Sequence, residues 1–411
     1  MEPKPTYSSM KDFGPEAELL CHCARKEIEL ERGKRIVALL EQDLNWAKLL
    51  EMAARHHILP LLYSNLTQIT PNHVPKGALN LLRDHYFANV VRNGYKAKEL
   101  LKLLKVFQAH NIPALPYKGV TLSIILYGDP LLRYYNDLDL LIFRKDLSQV
   151  EELLSCQGYQ LQWTNGKKNA ALKHHFHLPF MNIDSKVNVE IHWAFTYPFW
   201  SFPIDIEQLW QRIQPVTLGG ESVPSFHRED LLLLLCVHGS KDDWCRLKWI
   251  SDIAELLRLN QGVNWQAIFE QARKLRSMRI LSLGLFLAKD LLDGPLPEEV
   301  WRKVCADQVV IELGNQRRKY LFTEQPLKGE YRKRSSYYSK LREKSRDKIP
   351  VFFHFLILDW LSAISPFLSA IRPNAKDRAM VILPHSLSFL YYLVRVFRLV
   401  REKWWYKLKQ S

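Results

Sequence analysis

The sequence predicts an α+β protein, with a small mixed-sheet core flanked by N-terminal and C-terminal helical regions. Three observations carry this expectation. Apolar residues recur at helical spacing across residues 15–110. Between about 110 and 215 the pattern changes to short apolar runs bounded by Pro and Gly, as strands alternating with helices require. From residue 228 the helical spacing returns. The chain has 411 residues, of which 47% are hydrophobic and 25% charged, which excludes a disordered or collagen-like protein.

The elements follow in order. Leu19, Leu20, Ile28, Leu30, Ile36, Leu39 and Leu40 mark the first helices, and residues 79–108 form a long amphipathic one. Pro113 and Pro116 forbid a helix over 111–117, so a short strand is expected there. Residues 119–127 read as a helix and 137–143 as an apolar strand. A helix with an acidic start covers 146–157, with Gly158 just past its end. Further strands are expected at 159–163, 176–181 and 187–193. Residues 230–238 are nearly all apolar and belong in a buried helix, and the helical pattern continues over 249–259 and 265–288. The domains read as an N-terminal helical region (1–107), an α/β catalytic core (108–215), a helical nucleotide- or acceptor-side domain (216–315), a basic connector (316–348) and a hydrophobic, basic tail (349–411).

The net charge of +15 is unevenly placed. Residues 1–315 carry 37 Lys+Arg against 36 Asp+Glu, whereas 316–348 carry 12 against 4 and 372–411 carry 9 against 2. That location points to an anionic surface near the tail. Basic residues there interleave with Tyr391, Phe397, Trp404 and Trp405, a mixture that suits an anionic membrane face, RNA, or a helix packed on the body. Residues 351–371 are long enough to span a bilayer, but Asp359, His354 and Pro366 favour a buried or surface-lying helix. The first 30 residues hold no apolar run, so no targeting segment is expected. Six scattered cysteines do not make a disulfide framework and fit a reducing cytoplasm, with the protein peripheral at the inner membrane face if the tail binds lipid.

The chemistry concentrates between residues 115 and 193. Lys118-Gly119 sits between a strand and a helix, where backbone N–H groups attract phosphate and glycine lets it approach. Asp137 and Asp139 stand two apart on a strand, so both carboxylates leave one face while Leu138 and Leu140 leave the other. Glu190 and His192 share a face of a later strand. Three carboxylates beside a phosphate-binding turn make a site for Mg²⁺ or Mn²⁺. They fit phosphoryl transfer by a two-metal mechanism. The run His174-His-Phe-His177 also admits a zinc reading, with His175 and His177 on one strand face and only His192 as a further ligand. A His-rich strand surface or a nucleotide contact is the favoured reading of that run.

These motifs resemble the bacterial uncharacterised nucleotidyltransferase family, within the superfamily of DNA polymerase beta and the aminoglycoside nucleotidyltransferases. The resemblance rests on Lys118-Gly119, Tyr127-Gly-Asp-Pro-Leu-Leu-Arg133, Asp137-Leu-Asp139, Glu190-Ile-His-Trp193, the segment from His238 to Asp252, and Asp377 to Arg395 in the tail. The chain departs from the wider superfamily by carrying Lys118-Gly119 where others have Gly-Ser or Gly-Gly. The resemblance implies transfer of a nucleoside monophosphate from an NTP, ATP among them, to a hydroxyl acceptor, with release of pyrophosphate. Asp137, Asp139 and Glu190 would be the catalytic, metal-binding set. Lys118, Gly119 and Arg133 would hold phosphates, and His192, His238, Lys241 and Asp252 would line the nucleotide cleft. The acceptor would be a small molecule, a saccharide, a peptide or protein, or an RNA. The alternatives are a metal-dependent glycosyltransferase using Asp137-Leu-Asp139, and a catalytically inactive nucleotidyltransferase-like binding module.

Overall fold

Helical spacing in the first hundred residues produces α1 (Pro15–Cys23), α2 (Leu30–Leu40), α3 (Trp46–Arg55), α4 (Leu59–Ile69) and the 34-residue α5 (Lys76–Ala109) in the computed structural model. The structure describes residues 13–200, 202–259, 262–322 and 331–357, with short stretches between 380 and 398. Asn65 on α4 ties this bundle together by donating to the backbone carbonyls of Cys23 and Arg25.

The prolines at 113 and 116 end the helical pattern, and β1 (Ala114–Pro116) follows. Then come α6 (Gly119–Tyr127), β2 (Asp137–Ile142), α7 (Leu147–Cys156), β3 (Tyr159–Leu161), α8 (Asn165–His174), β4 (His177–Asn182) and β5 (Asn188–His192). The five strands make one sheet in the order β1-β2-β5-β4-β3. It is mixed: β2 and β5 run parallel, and the other pairs are antiparallel.

Period-two alternation decides the two faces of this sheet. Leu138, Leu140 and Ile142 of β2, Val189 and Ile191 of β5, and Leu178 and Phe180 of β4 enter a core with Leu100, Leu103 and Phe107 of α5. The alternate positions, Asp137, Asp139, Glu190, His192 and His177, are left for the other face.

Beyond the sheet come α9 (Ile206–Trp210) and a hairpin of β6 (Gln214–Leu218) and β7 (Glu221–Ser225). Gly219 and Gly220 turn that hairpin with φ of +57° and +83°, as a two-residue type I′ turn needs. The helices α10 (Arg228–Lys241), α11 (Leu247–Leu259), α12 (Trp265–Lys274), α13 (Met278–Leu292), α14 (Glu298–Cys305) and α15 (Gln308–Phe322) complete the first unit. The expected single helical run at 265–288 is broken between α12 and α13, where Arg276 takes φ +54° and Ser277 caps back to Ala272.

The chain divides into two units, one of residues up to 328 with 340–347, the other of 329–339 and 348–411. In the second, α16 (Tyr331–Lys340) buries Tyr337 and Tyr338, and Tyr338 stacks on Phe355 with ring centroids 5.3 Å apart. Phe352, Phe353, Leu356 and Ile357 are exposed. Among the described residues no helix is long and apolar enough to cross a membrane. Residues 358–379 and 399–411, which include most of the apolar run and the tail tryptophans, lie outside the described residues. None of the six cysteines, all among the described residues, is in a disulfide.

Candidate active site

The Lys118-Gly119 turn leads from β1 into α6. Gly119 has φ +58°, and a Cβ there would stand 3.3 Å from the Asp137 carbonyl oxygen. Glycine is therefore required both for the backbone conformation and for the close approach of β2. The turn brings Lys118 over the strand, where its Nζ donates to Asp139 Oδ1 at 3.2 Å.

Register places the acids. In the parallel β2–β5 pairing Asp139 is opposite Glu190, and Asp137 is opposite Asn188. His192 Nε2 lies 3.0 Å from Asp139 Oδ1 and 3.2 Å from Glu190 Oε2, so the two carboxylates meet at one imidazole nitrogen. The Tyr117 hydroxyl stands 3.2 Å from His192 Nδ1. His177 of β4 is opposite His192, and its Nε2 is 3.8 Å from Glu190 Oε2.

The electrostatics divide the acids. Burial pushes the Asp137 carboxyl up, and the charges of Asp139 and Glu190 push it further, to about 6. Burial also opposes ionisation of Asp139, but the Lys118 ammonium and the His192 contact outweigh it and hold that carboxyl well below the usual range. Glu190 is buried enough to be raised, yet its contact with His192 lowers it. For Lys118 the desolvation that favours the neutral amine is overcome by Asp139, so its pKa is raised and it stays charged. A carboxyl raised by burial and then by two neighbouring anions is a position that gains from a cation, but among the described residues Asp137, Asp139 and Glu190 do not form a group whose ligand atoms all lie within 4.8 Å of one another.

Basic side chains surround these acids. Lys241 sits over the Phe176 ring at 4.5 Å, and burial lowers its pKa. His238 Nδ1 is 3.2 Å from Asp242 Oδ2, and burial and then Lys118 hold its imidazole far down. Two lysines that no sequence motif marked belong here as well. Lys248 Nζ donates to the Tyr134 carbonyl at 3.2 Å, and burial and then Arg133 push it down to about 7. Lys96 on α5 donates to the Tyr135 carbonyl at 2.6 Å. With Asn89 and Asn93, at helical spacing, it satisfies the carbonyls of Leu131, Arg133 and Tyr135 and fixes the loop that enters β2.

Arg133 and Asp252, both expected at the nucleotide, are instead joined to each other. The guanidinium Nε and Nη2 each donate to Asp252 at 2.8 Å, and both side chains are buried. The pair locks the β2 entry loop to α11. Asp129 accepts from the Leu131 N–H at 2.7 Å and shapes the turn after α6. The expected strand pair of His175 and His177 does not form, because His175 caps the C-terminus of α8 before β4 begins. Among the described residues, the group of three ligating side chains with mutual ligand-atom distances within 4.8 Å is His177, Glu190 and His192. Tyr117, Lys96 and Lys248 were not singled out from the sequence, and His177 was read there only with His175 and His192. Tyr117 directly precedes the Lys-Gly motif, while His177 required the β4–β5 register to be known.

Among solved structures, the chain is similar to the crystal structure of ANT(2")-Ia in complex with adenylyl-2"-tobramycin, with 15% identity, 44% of this chain and 98% of that chain covered, and a TM-score of 0.31. The solution structure of the antibiotic-resistance factor ANT(2'')-Ia matches at 13% identity, over 44% of this chain and 93% of that one, with a TM-score of 0.32. An antigenic nucleotidyltransferase-like protein from Paracoccidioides brasiliensis matches at 17% identity, over 49% and 94%, with a TM-score of 0.31. Superpositions at that level carry no residue correspondence to this chain. No curated protein matches the sequence. The family model of the uncharacterised nucleotidyltransferases matches residues 42–293, more than half of the chain, and the protein belongs to that family.

Proposed function

We propose that this protein transfers a nucleoside monophosphate from an NTP to a hydroxyl acceptor and releases pyrophosphate. The observation that carries the reading is the Asp139–Glu190 pair, opposed across β2 and β5 and sharing the His192 Nε2 contact beside the Lys118-Gly119 turn. Asp137, Asp139 and Glu190 would hold divalent metal, Mg²⁺ or Mn²⁺. The chemistry such ions supply is neutralisation of the triphosphate and a lowered pKa for the attacking hydroxyl. Lys118 and the backbone N–H groups opening α6 hold phosphate oxygens, and Lys241 and Lys248 add positive charge along the same rim. His192, positioned by Tyr117, orients Asp139 and Glu190. Glu190, held ionised, assists removal of the acceptor proton. Arg133 and Asp252 act by holding the β2 entry loop. His238 lies near enough to Lys118 and Asp139 to be influenced by both and lines the cleft.

The acceptor is an alcohol on a small molecule, saccharide, protein or RNA. Incubating the protein with labelled NTPs and Mg²⁺ or Mn²⁺ in cell extract, followed by mass analysis, tests the reading. A labelled product that requires the divalent ion and intact Asp139 supports it, and its absence with every NTP ends it. For the tail we assign an anionic membrane surface, on the basic excess of residues 316–411 and the exposed Phe352, Phe353, Leu356 and Ile357. Deleting residues 372–411 is expected to weaken binding to anionic vesicles in a salt-sensitive way, and equal binding by the truncated chain overturns this assignment.

A further inference from the structure

We propose that His177, Glu190 and His192 bind a borderline divalent cation of the Mn²⁺ or Zn²⁺ class, so that this site takes its metal partly through imidazole nitrogen rather than through oxygen alone. The inference deepens the transferase reading, because it concerns the same face of the sheet.

Geometry comes first. His177 and His192 are opposed in the antiparallel β4–β5 pairing, and Glu190 precedes His192 by two on the same strand face. Glu190 Oε2 is 3.2 Å from His192 Nε2 and 3.8 Å from His177 Nε2, and all three ligand atoms lie within 4.8 Å of one another. Donors around a single ion, each at about 2.0–2.2 Å from it, stand roughly 3–3.5 Å apart. Side-chain adjustment of an ångström or so therefore closes the set, with no change of backbone register.

The state of His177 gives an independent reason. Its Nδ1 is buried without a hydrogen-bond partner among the described residues, and its Nε2 stands beyond hydrogen-bond length from Glu190. Enclosed imidazoles normally satisfy both nitrogens. A cation shared with Glu190 gives Nε2 the partner it lacks at 3.8 Å, while Nδ1 gains none from it. The Tyr117 hydroxyl at His192 Nδ1 can support that ring as metal-bound histidines are supported, and a metal at Nε2 would replace its contact with Asp139. Lys118 engages Asp139, and the Glu190 carboxyl remains partly open to the cleft.

The donor set selects the ion. Mg²⁺ prefers six oxygens in a near-ideal octahedron, whereas two imidazoles and one carboxylate suit Mn²⁺, Co²⁺ or Zn²⁺. Three protein ligands leave positions for water or a phosphate oxygen.

Electron spin-echo spectroscopy of full-length protein loaded with Mn²⁺, without nucleotide, tests the inference. The expected spectrum shows nitrogen-14 modulation from directly bound histidine, and it persists in an about tenfold excess of Mg²⁺. His177→Gln is expected to reduce the modulation and to weaken Mn²⁺ binding about tenfold or more by calorimetry. Bound Mn²⁺ with no nitrogen modulation, Mn²⁺ fully displaced by Mg²⁺, or no Mn²⁺ bound overturns the inference. The wild-type spectrum alone decides the matter if the variant does not fold. Silence at nitrogen with intact Asp139-dependent NTP turnover removes this inference and leaves the transferase reading in place. A clear nitrogen signal in a protein without NTP turnover does the reverse.

Discussion

Lys118 and Asp139 form an ion pair at 3.2 Å in which the lysine side chain is 13% exposed and the aspartate 5%. The strand residue and the turn residue are therefore coupled in stability. Removing one partner leaves an enclosed, uncompensated charge, which costs about 3–5 kcal/mol in comparable buried pairs. Asp139→Asn and Lys118→Met are each expected to lower the denaturant midpoint, and the double variant to lose less than the two added. A coupling below about 0.5 kcal/mol in a double-mutant cycle contradicts the pair. NTP turnover in Asp139→Asn is expected to fall by two orders of magnitude or more, because the acid is charged in the native site and its amide is not.

Arg133 and Asp252 lie 119 residues apart in sequence and meet through two 2.8 Å hydrogen bonds in a fully enclosed fork. Asp252→Ala strands the guanidinium and is expected to cost about 3–5 kcal/mol in urea unfolding. Arg133→Met combined with Asp252→Leu removes both charges and is expected to recover most of that loss. If Asp252→Ala unfolds at the wild-type midpoint, the fork does not hold the β2 entry loop.

How far the sequence revealed this site depended on the range of each interaction. Period-two alternation was enough to place Asp137 and Asp139 on one face of β2, and Glu190 with His192 on one face of β5, because strand geometry is local. The apolar alternates at 138, 140, 189 and 191 enter the core as that argument requires. The fork between Arg133 and Asp252 depends on where α11 packs, and nothing near either residue encodes it. His177 was read with His175 because both belong to one histidine run, but a helix cap falls between them and the true neighbours come from the facing strand. The β6–β7 hairpin was legible in Gly219-Gly220, a local turn signal that the reading by apolar runs passed over.

Gly119 joins backbone and site in one residue. Gly119→Ala places a side chain at φ +58° and a methyl group 3.3 Å from the Asp137 carbonyl oxygen. The conformational penalty is about 1–2 kcal/mol. The crowding falls on the backbone of Asp137, one of the acids proposed to hold metal. The expected outcome is a modest drop in melting temperature together with a larger loss of NTP turnover. Unchanged turnover in a destabilised variant shows that the turn does not set the position of Asp137.

Acid lability follows from the enclosed histidines, of which His56 is the clearest. Its Nδ1 accepts from the Leu247 N–H at 3.2 Å and its Nε2 lies 3.0 Å from the Leu321 carbonyl, so the native ring is neutral and protonated at Nε2. Burial, then the nearby Arg55 charge, push its pKa from 6.5 down to about 3. Between those values the unfolded chain binds a proton that the native chain does not, so stability rises with pH across that window. The contribution of His56 is complete above pH 6.5 and is lost progressively as pH falls toward 3, with a limiting slope of about 1.4 kcal/mol per pH unit. His57 and His177, also held to about 3, add to the trend. Replacement by Gln removes one titrating group, so unfolding free energy measured from pH 7 to pH 4 is expected to fall less steeply in His56→Gln, by about one proton's slope, than in the wild type. Identical slopes would show that the imidazole is already charged in the native protein, in which case Nδ1 carries a proton and cannot accept from the Leu247 N–H.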